Sequence, residues 1–264
     1  MRTCESFTMR FSFTCVFTVI AALLGAATGQ AQQTVTLSPA VVPLAGSTGQ
    51  SVTQLLTLRN DTDTALDFVL DAQDVVVRDG KRVFIDAGKL PDSIAASAVF
   101  TPQKLRIAPH ASASATVTLT LPPEMRHRAA AVFFRSANSV QSGNRQAYLS
   151  LGTLFTFTIS GQISIMSDVL RSDPPSASAN ARVHTLLKND GKEPVLPSGM
   201  AVILDADGQL VGKAPFRAQR LLPGESTTLV AEYPGELRAG TYRTVATLDL
   251  AGQVRTLTGS LRVP

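Results

Sequence analysis

The side chains able to do acid–base, nucleophilic or metal chemistry are few, and their spacing does not favour it. There are three histidines: His110 follows Pro109 in a turn, His127 sits between Arg126 and Arg128, and His184 lies in an alternating run. None has a Ser, Cys or carboxylate at a catalytic spacing, and no HExxH, GxSxG, Walker or GxGxxG pattern occurs. The remaining enzymatic route is a triad assembled from distant segments, and nothing in the sequence marks one. Both cysteines, Cys4 and Cys15, lie near the start, so the rest of the chain has no thiol for a disulfide, a metal or a nucleophile. Asp61, Asp63 and Asp67 form one acidic set, and Asp205-Ala206-Asp207-Gly208 resembles the start of a calcium loop. At the twelfth position, where an EF-hand needs a carboxylate, stands Phe216. Asx-type turns account for both sets. The reading is a protein without a catalytic site, metal or cofactor.

The opening residues set the compartment. Arg2 and Arg10 flank a short polar start, Phe11 to Ala27 runs almost without polarity, and Gly29 and Ala31 have the small-residue spacing a signal peptidase reads. This predicts a signal peptide over 1–31, cleaved after Ala31. The alternative is a membrane anchor, but 17 apolar residues are at the short limit for a span and no basic stop-transfer cluster follows. The expectation is an exported protein with no membrane span after cleavage. Without disulfides it must be stabilised by its cores, so its domains should not be tiny. The formal charge of +4 falls to +3 once Arg2, Arg10 and Glu5 leave with the leader; the basic residues are scattered, and nucleic acid is not indicated.

Residues 32–264 read as strand almost throughout, as short runs of Val, Leu, Thr and Phe separated by turn residues. Asp79-Gly80 and Asp207-Gly208 each sit between apolar runs as two-residue hairpin signals. Tyr242, at the start of a strand, fits a corner tyrosine. Three short segments recur in the same order. Leu58-Arg59-Asn60-Asp61 matches Leu187-Lys188-Asn189-Asp190, Arg106-Ile107-Ala108-Pro109 matches Arg220-Leu221-Leu222-Pro223, and Glu124-Met125-Arg126 matches Glu236-Leu237-Arg238. Asn60 to Pro109 is 49 residues and Asn189 to Pro223 is 34, so the first copy carries an added hairpin and loop around Asp86 to Pro102. The pattern predicts an all-β chain of two immunoglobulin-like antiparallel β-sandwich domains, 32–163 and 164–264.

The stretch from Ala147 to Ile159 stands apart. Leu149, Leu151, Phe155, Phe157 and Ile159 fall on one face, with Thr153 interrupting, and the 13 residues would reach about 43 Å as one strand. Such a strand can simply complete the first domain's core. It can also leave part of its apolar row at an open edge that receives a partner strand. The run Ala131-Val132-Phe133-Phe134-Arg135-Ser136 is its expected neighbour, joined to it by the polar loop Asn138 to Gln146.

A strand ending Phe133-Phe134-Arg135-Ser136, a polar loop, a long alternating strand and then a smaller sandwich resemble the periplasmic pilus-assembly chaperones of the PapD-like superfamily. The opening Val35-Thr36-Leu37-Ser38-Pro39 fits the start of that fold, and the resemblance covers essentially all of 32–264. It is also similar to a broader set of two-domain bacterial surface proteins. The resemblance implies a non-catalytic periplasmic protein whose partner is an exported β-rich subunit, with Leu149, Leu151, Phe155 and Phe157 contacting it by strand addition. In that family a basic pair in the inter-domain cleft anchors the subunit's C-terminal carboxylate. Here Thr34 to Leu44 has no Arg or Lys and the long strand has no Lys, so Arg135 and Arg145 are the nearest basic candidates. The alternative function is a structural or adhesive cell-surface protein that binds envelope or wall components.

Overall fold

Alternating Val, Thr, Leu and Phe between Gly, Asn and Pro punctuation favour sheet. In the computed structural model, the described residues (34–142 and 145–264) are all-β apart from one 3-10 turn at Ala95–Ser97. The segment 1–31, expected to be a signal peptide, lies outside the described residues.

Two immunoglobulin-like sandwiches follow one another. The first is built from β1 (Val35–Ser38), β2 (Val41–Ala45), β3 (Ser51–Asn60), β4 (Leu66–Arg78), β5 (Lys81–Asp86), β6 (Val99–Thr101), β7 (Lys104–Ile107), β8 (Ser112–Thr120) and β9 (Ala129–Ser136). A small ribbon of β10 (Val140–Ser142) and β11 (Arg145–Ala147) leads to β12 (Ser150–Thr158). One sheet has the order β1-β3-β8-β6 and the other β2-β12-β9-β4-β5, with β7 also on β4; every pairing is antiparallel except β2 with β12. Between the sheets, Leu56, Leu58, Phe68, Val117, Phe134 and Phe155 are fully buried or nearly so.

The second sandwich contains β13 (Ile165–Ser167), β14 (Arg171–Asp173), β15 (Ala181–Asn189), β16 (Ser198–Leu204), β17 (Leu210–Pro215), β18 (Ser226–Tyr233), β19 (Gly240–Leu250) and β20 (Gln253–Val263). Strands β13 and β14 share one side of β15 and β18 takes the other, facing the sheet β17-β16-β19-β20 across a core of Leu187, Leu221, Leu229 and Leu248.

The turn chemistry follows the sequence in part. Asp79 and Gly80 both have positive φ (51° and 73°), as a type I′ hairpin requires, and Arg78 pairs with Lys81 to close it. Asp207-Gly208 does not form the expected two-residue hairpin: only Gly208 has positive φ (78°), Leu204 pairs with Leu210 across a register shift, and the Asp205 carboxylate accepts the amides of Asp207 (3.0 Å) and Gln209 (2.8 Å) in an Asx turn that lengthens the connection. The Tyr242 hydroxyl donates to the Arg238 carbonyl at 2.8 Å, the corner arrangement expected of it.

The sequence repeat has a physical basis. Asn60 is fully buried at the end of β3; its amide donates to the carbonyls of Thr64 (2.8 Å) and Ala108 (3.1 Å), and its oxygen accepts the Thr62 amide (3.0 Å) and hydroxyl (2.7 Å). Asn189, fully buried at the end of β15, donates to the carbonyls of Glu193 (2.8 Å) and Leu221 (3.1 Å) and accepts the Gly191 amide (3.0 Å). The flanking ion pairs also match, Arg59–Asp61 and Lys188–Asp190, each at 2.7 Å. Two of the recurring segments therefore touch each other in each copy.

Replacing either asparagine strands several buried backbone groups at once. Asn60→Ala and Asn189→Ala are each expected to lower unfolding free energy by about 3 kcal/mol in urea titrations, whereas Asp61→Ala, which removes a surface pair, should cost less than about 1 kcal/mol.

Candidate functional site

Strand β12 alternates as its sequence suggests, with odd-numbered residues pointing inward. Phe155 and Phe157 are fully buried, and Thr153, also buried, donates its hydroxyl to the Pro39 carbonyl at 2.8 Å. Leu149 and Leu151 are partly buried and pack on the rim of the same core. The expected apolar row therefore divides. Phe155 and Phe157 lie inside the sandwich, where no partner can reach the rings, because β2 pairs along β12 from Leu154 to Thr158 and closes the core over them. Leu149 and Leu151 at one end, and Ile159 at the other, are only partly buried.

The expected single strand from Ala147 to Ile159 is also interrupted. Arg145–Ala147 pairs with Val140–Ser142 in its own ribbon, and β12 begins at Ser150. At the break the Ser136 amide donates to the Leu149 carbonyl (2.8 Å), while the Leu149 amide donates to the Ser136 hydroxyl (2.8 Å). A serine hydroxyl has taken the place of a ladder carbonyl, which ends regular pairing there.

Among the described residues, the edge beside this break has no paired strand. Odd residues of β12 bond to β9, as when Phe157 N–H donates to the Arg128 carbonyl at 2.8 Å. Even residues bond the other way, and Leu154 N–H donates to the Ala40 carbonyl at 2.9 Å. N-terminal to Ala40 the chain leaves for the opposite sheet, where β1 pairs with β3. The N–H and C=O groups of Ser150 and Gly152 thus point to a side on which no strand of the described residues is paired with them.

Of the two basic candidates, Arg135 does not stand at this edge as a free cation. Arg135 lies on the sheet's outer face with its Nε 2.5 Å from Asp71 Oδ2 and its guanidinium 4.6 Å over the Phe133 ring. Arg145 has its backbone in β11, and its side chain lies outside the described residues. Gly152, Phe133 and Ser136 shape this edge in ways the sequence alone did not assign to them. A glycine inside an alternating strand was the one available signal.

A second constellation gathers where the two sandwiches meet. His127, buried, has Nε2 3.1 Å from Asp74 Oδ1 and Nδ1 3.3 Å from Asp92 Oδ2. Asp74 also accepts the Ser93 hydroxyl (2.6 Å) and the Ala95 amide (2.9 Å). This is not a nucleophile–base pair, since Ser93 gives its proton to Asp74 and carboxylates take both ring nitrogens. Burial pushes the Asp74 carboxyl up. Its bonds from His127, Ser93 and the Ala95 amide, with the charge of His127, outweigh that and hold it below the usual carboxylate value. Nearby, Leu222 packs on Val75, Ala129 and Ala131. Arg82 forks onto Glu225 (2.9 and 3.1 Å). Fully buried Glu193 accepts the amides of Ile159 (3.0 Å) and Ser160 (2.8 Å) at the end of β12.

No protein-family model and no curated protein matches the sequence. Among solved structures, the chain is similar to the class 5 fimbriae chaperone CfaA, with 16% identity over 88% of this chain and 100% of that one and a TM-score of 0.44. It is also similar to a chain of the CsuC–CsuE chaperone–tip adhesion subunit pre-assembly complex of Acinetobacter baumannii (8% identity, 85% and 97% covered, TM-score 0.42). A third is the E. coli chaperone DraB (15% identity, 87% and 98% covered, TM-score 0.41).

Two outcomes follow from the burial. Phe155→Asp with Phe157→Asp places two charges in the core, and the protein should fail to accumulate in folded form by circular dichroism. For Asp74, the unfolded chain binds a proton at higher pH than the folded chain, so its stabilising effect is complete above pH 5, roughly, and fades as pH falls through and below 3.8. Urea midpoints between pH 6 and pH 3 should fall more steeply for the unchanged protein than for Asp74→Asn, which should be the less stable of the two at pH 7 by about 3 kcal/mol.

Proposed function

We propose that this chain is a non-catalytic periplasmic chaperone-like protein that binds exported β-rich subunits, in pilus or surface-structure assembly, by strand addition at the Ser150–Thr153 edge of β12. On this reading residues 1–31 are removed on export, and 32–163 and 164–264 act as two domains. The observation that carries it is the edge itself: unpaired backbone groups at Ser150 and Gly152 lie beside Leu149 and Leu151, which border an apolar core. A partner strand laid there gains main-chain hydrogen bonds from the even residues, while its inward side chains cover the two leucines. Leu149 and Leu151 are the partner-contacting residues; Phe155 and Phe157 support them from within, and Arg135 acts on the outer face.

The test is to express the full chain with a C-terminal tag, purify it from the envelope fraction and identify what accompanies it by mass spectrometry. A stoichiometric small β-rich exported protein is expected. Ser150→Pro removes one outward N–H and sets a ring against the edge without touching the ladder to β9, and Leu149→Asp with Leu151→Asp charges the rim. Each should reduce co-recovery at least about tenfold while leaving the urea midpoint within a few tenths molar. Recovery alone or with wall material would overturn the proposal in favour of an adhesive surface protein, as would a client that persists through both variants.

A further inference from the structure

Strand addition at β12 leaves open what the incoming strand must carry, and the outer face of the edge bears on this. A Cβ built on Gly152 would stand 2.9 Å from Cε1 and 3.0 Å from Cδ1 of Phe133. Gly152 pairs directly with Phe133 in an ordinary antiparallel register, so the backbone does not demand glycine. The ring does, because it lies where the side chain would be. That ring is braced. Phe84 meets it edge-on, with centroids 5.5 Å apart and planes at 68°, and Arg135, held by Asp71, covers it at 4.6 Å. Phe133 therefore reaches from β9 over β12 toward the open edge, and Gly152 is exposed beneath it.

A strand added beside β12 puts one residue opposite Gly152, with its side chain on the same outer face. No Gly152 side chain is there to meet it, so it lies against the rim of the Phe133 ring. The residues on either side of it point inward to Leu149, Leu151 and Thr153. We infer that Gly152 and Phe133 form a specificity subsite for an aromatic or large apolar side chain, so that the recognised subunit strand carries three such residues in succession, the outer ones inward and the middle one against Phe133. This rests on the strand-addition reading and adds to it a requirement on the outer face, where a partner edge would ordinarily be polar. Edge-to-face contact between rings supplies the preference, with Arg135 fixing one ring in advance.

The test uses the full chain, expressed and purified after export, as bait for a displayed library of nine-residue peptides with five random central positions between threonines. Clones that also bind Ser150→Pro are discarded. Among the rest, an aromatic or large apolar residue between two apolar ones should be enriched about five- to tenfold over the library. Selection on Phe133→Ala, with Phe133→Leu as a milder second variant, should lose the middle-position enrichment and keep the flanking apolar positions. Clones sensitive to Ser150→Pro but without middle-position enrichment would overturn the subsite and leave the edge reading standing. Enrichment that survives both Phe133 variants would likewise overturn the subsite alone. A library yielding no clone sensitive to Ser150→Pro would overturn both.

Discussion

Between Ser38 and Val41 the chain passes from one sheet of the first sandwich to the other, and this crossing sets what the rest of the domain can do. One short segment has to cover two edges. As β1 it pairs with β3; as β2 it runs parallel to β12 from Leu154 to Thr158. Residues spent on one edge are lost to the other, and the part of β12 beyond the crossing is left, among the described residues, without a paired strand on the side away from β9. Pro39 is well placed at the passage. It has no N–H to leave unpaired, and its carbonyl is taken by the buried Thr153 hydroxyl. The open edge is thus a consequence of how the core is closed elsewhere.

The two sandwiches are held in shape by the same device. A buried asparagine at the end of a central strand ties its own turn to the strand end that follows the opposite connection, and its three or four hydrogen bonds replace sheet pairing where the chain has left the sheet. In the second copy this knot has a further effect. Position 193, fixed by Asn189 through its carbonyl, carries a glutamate whose buried carboxylate receives the amides of residues 159 and 160. The local turn of one sandwich thereby fixes the end of the last strand of the other.

Much of this was legible in the sequence because it is local or repeated. The Asp79-Gly80 turn, the parity of residues 149–159 and the recurrence of Asn60 as Asn189 all follow from short-range pattern, and the structure realises them. What was not legible depends on long-range register. Phe155 and Leu151 read alike as inward apolar residues, and only the placement of β2, over a hundred residues earlier, makes one core and the other rim. The expected 13-residue strand stops short because the Ser136 hydroxyl intercepts the Leu149 amide, which no propensity scale encodes. Likewise His127, Asp74 and Asp92 come together from three separated segments, with no spacing to announce them.

The bond between Glu193 and the end of β12 gives that strand a mechanical character. One terminus of β12 is the exposed edge; the other is clamped by a carboxylate belonging to the next sandwich. On the strand-addition proposal, a load applied along the attached strand runs parallel to β12, so the ladder to β9 is stressed in shear, with its hydrogen bonds sharing the force instead of parting one after another. The clamp at Ile159 and Ser160 passes what remains into the second sandwich. On that proposal, an attached strand is held more firmly against lengthwise pulling than against sideways peeling.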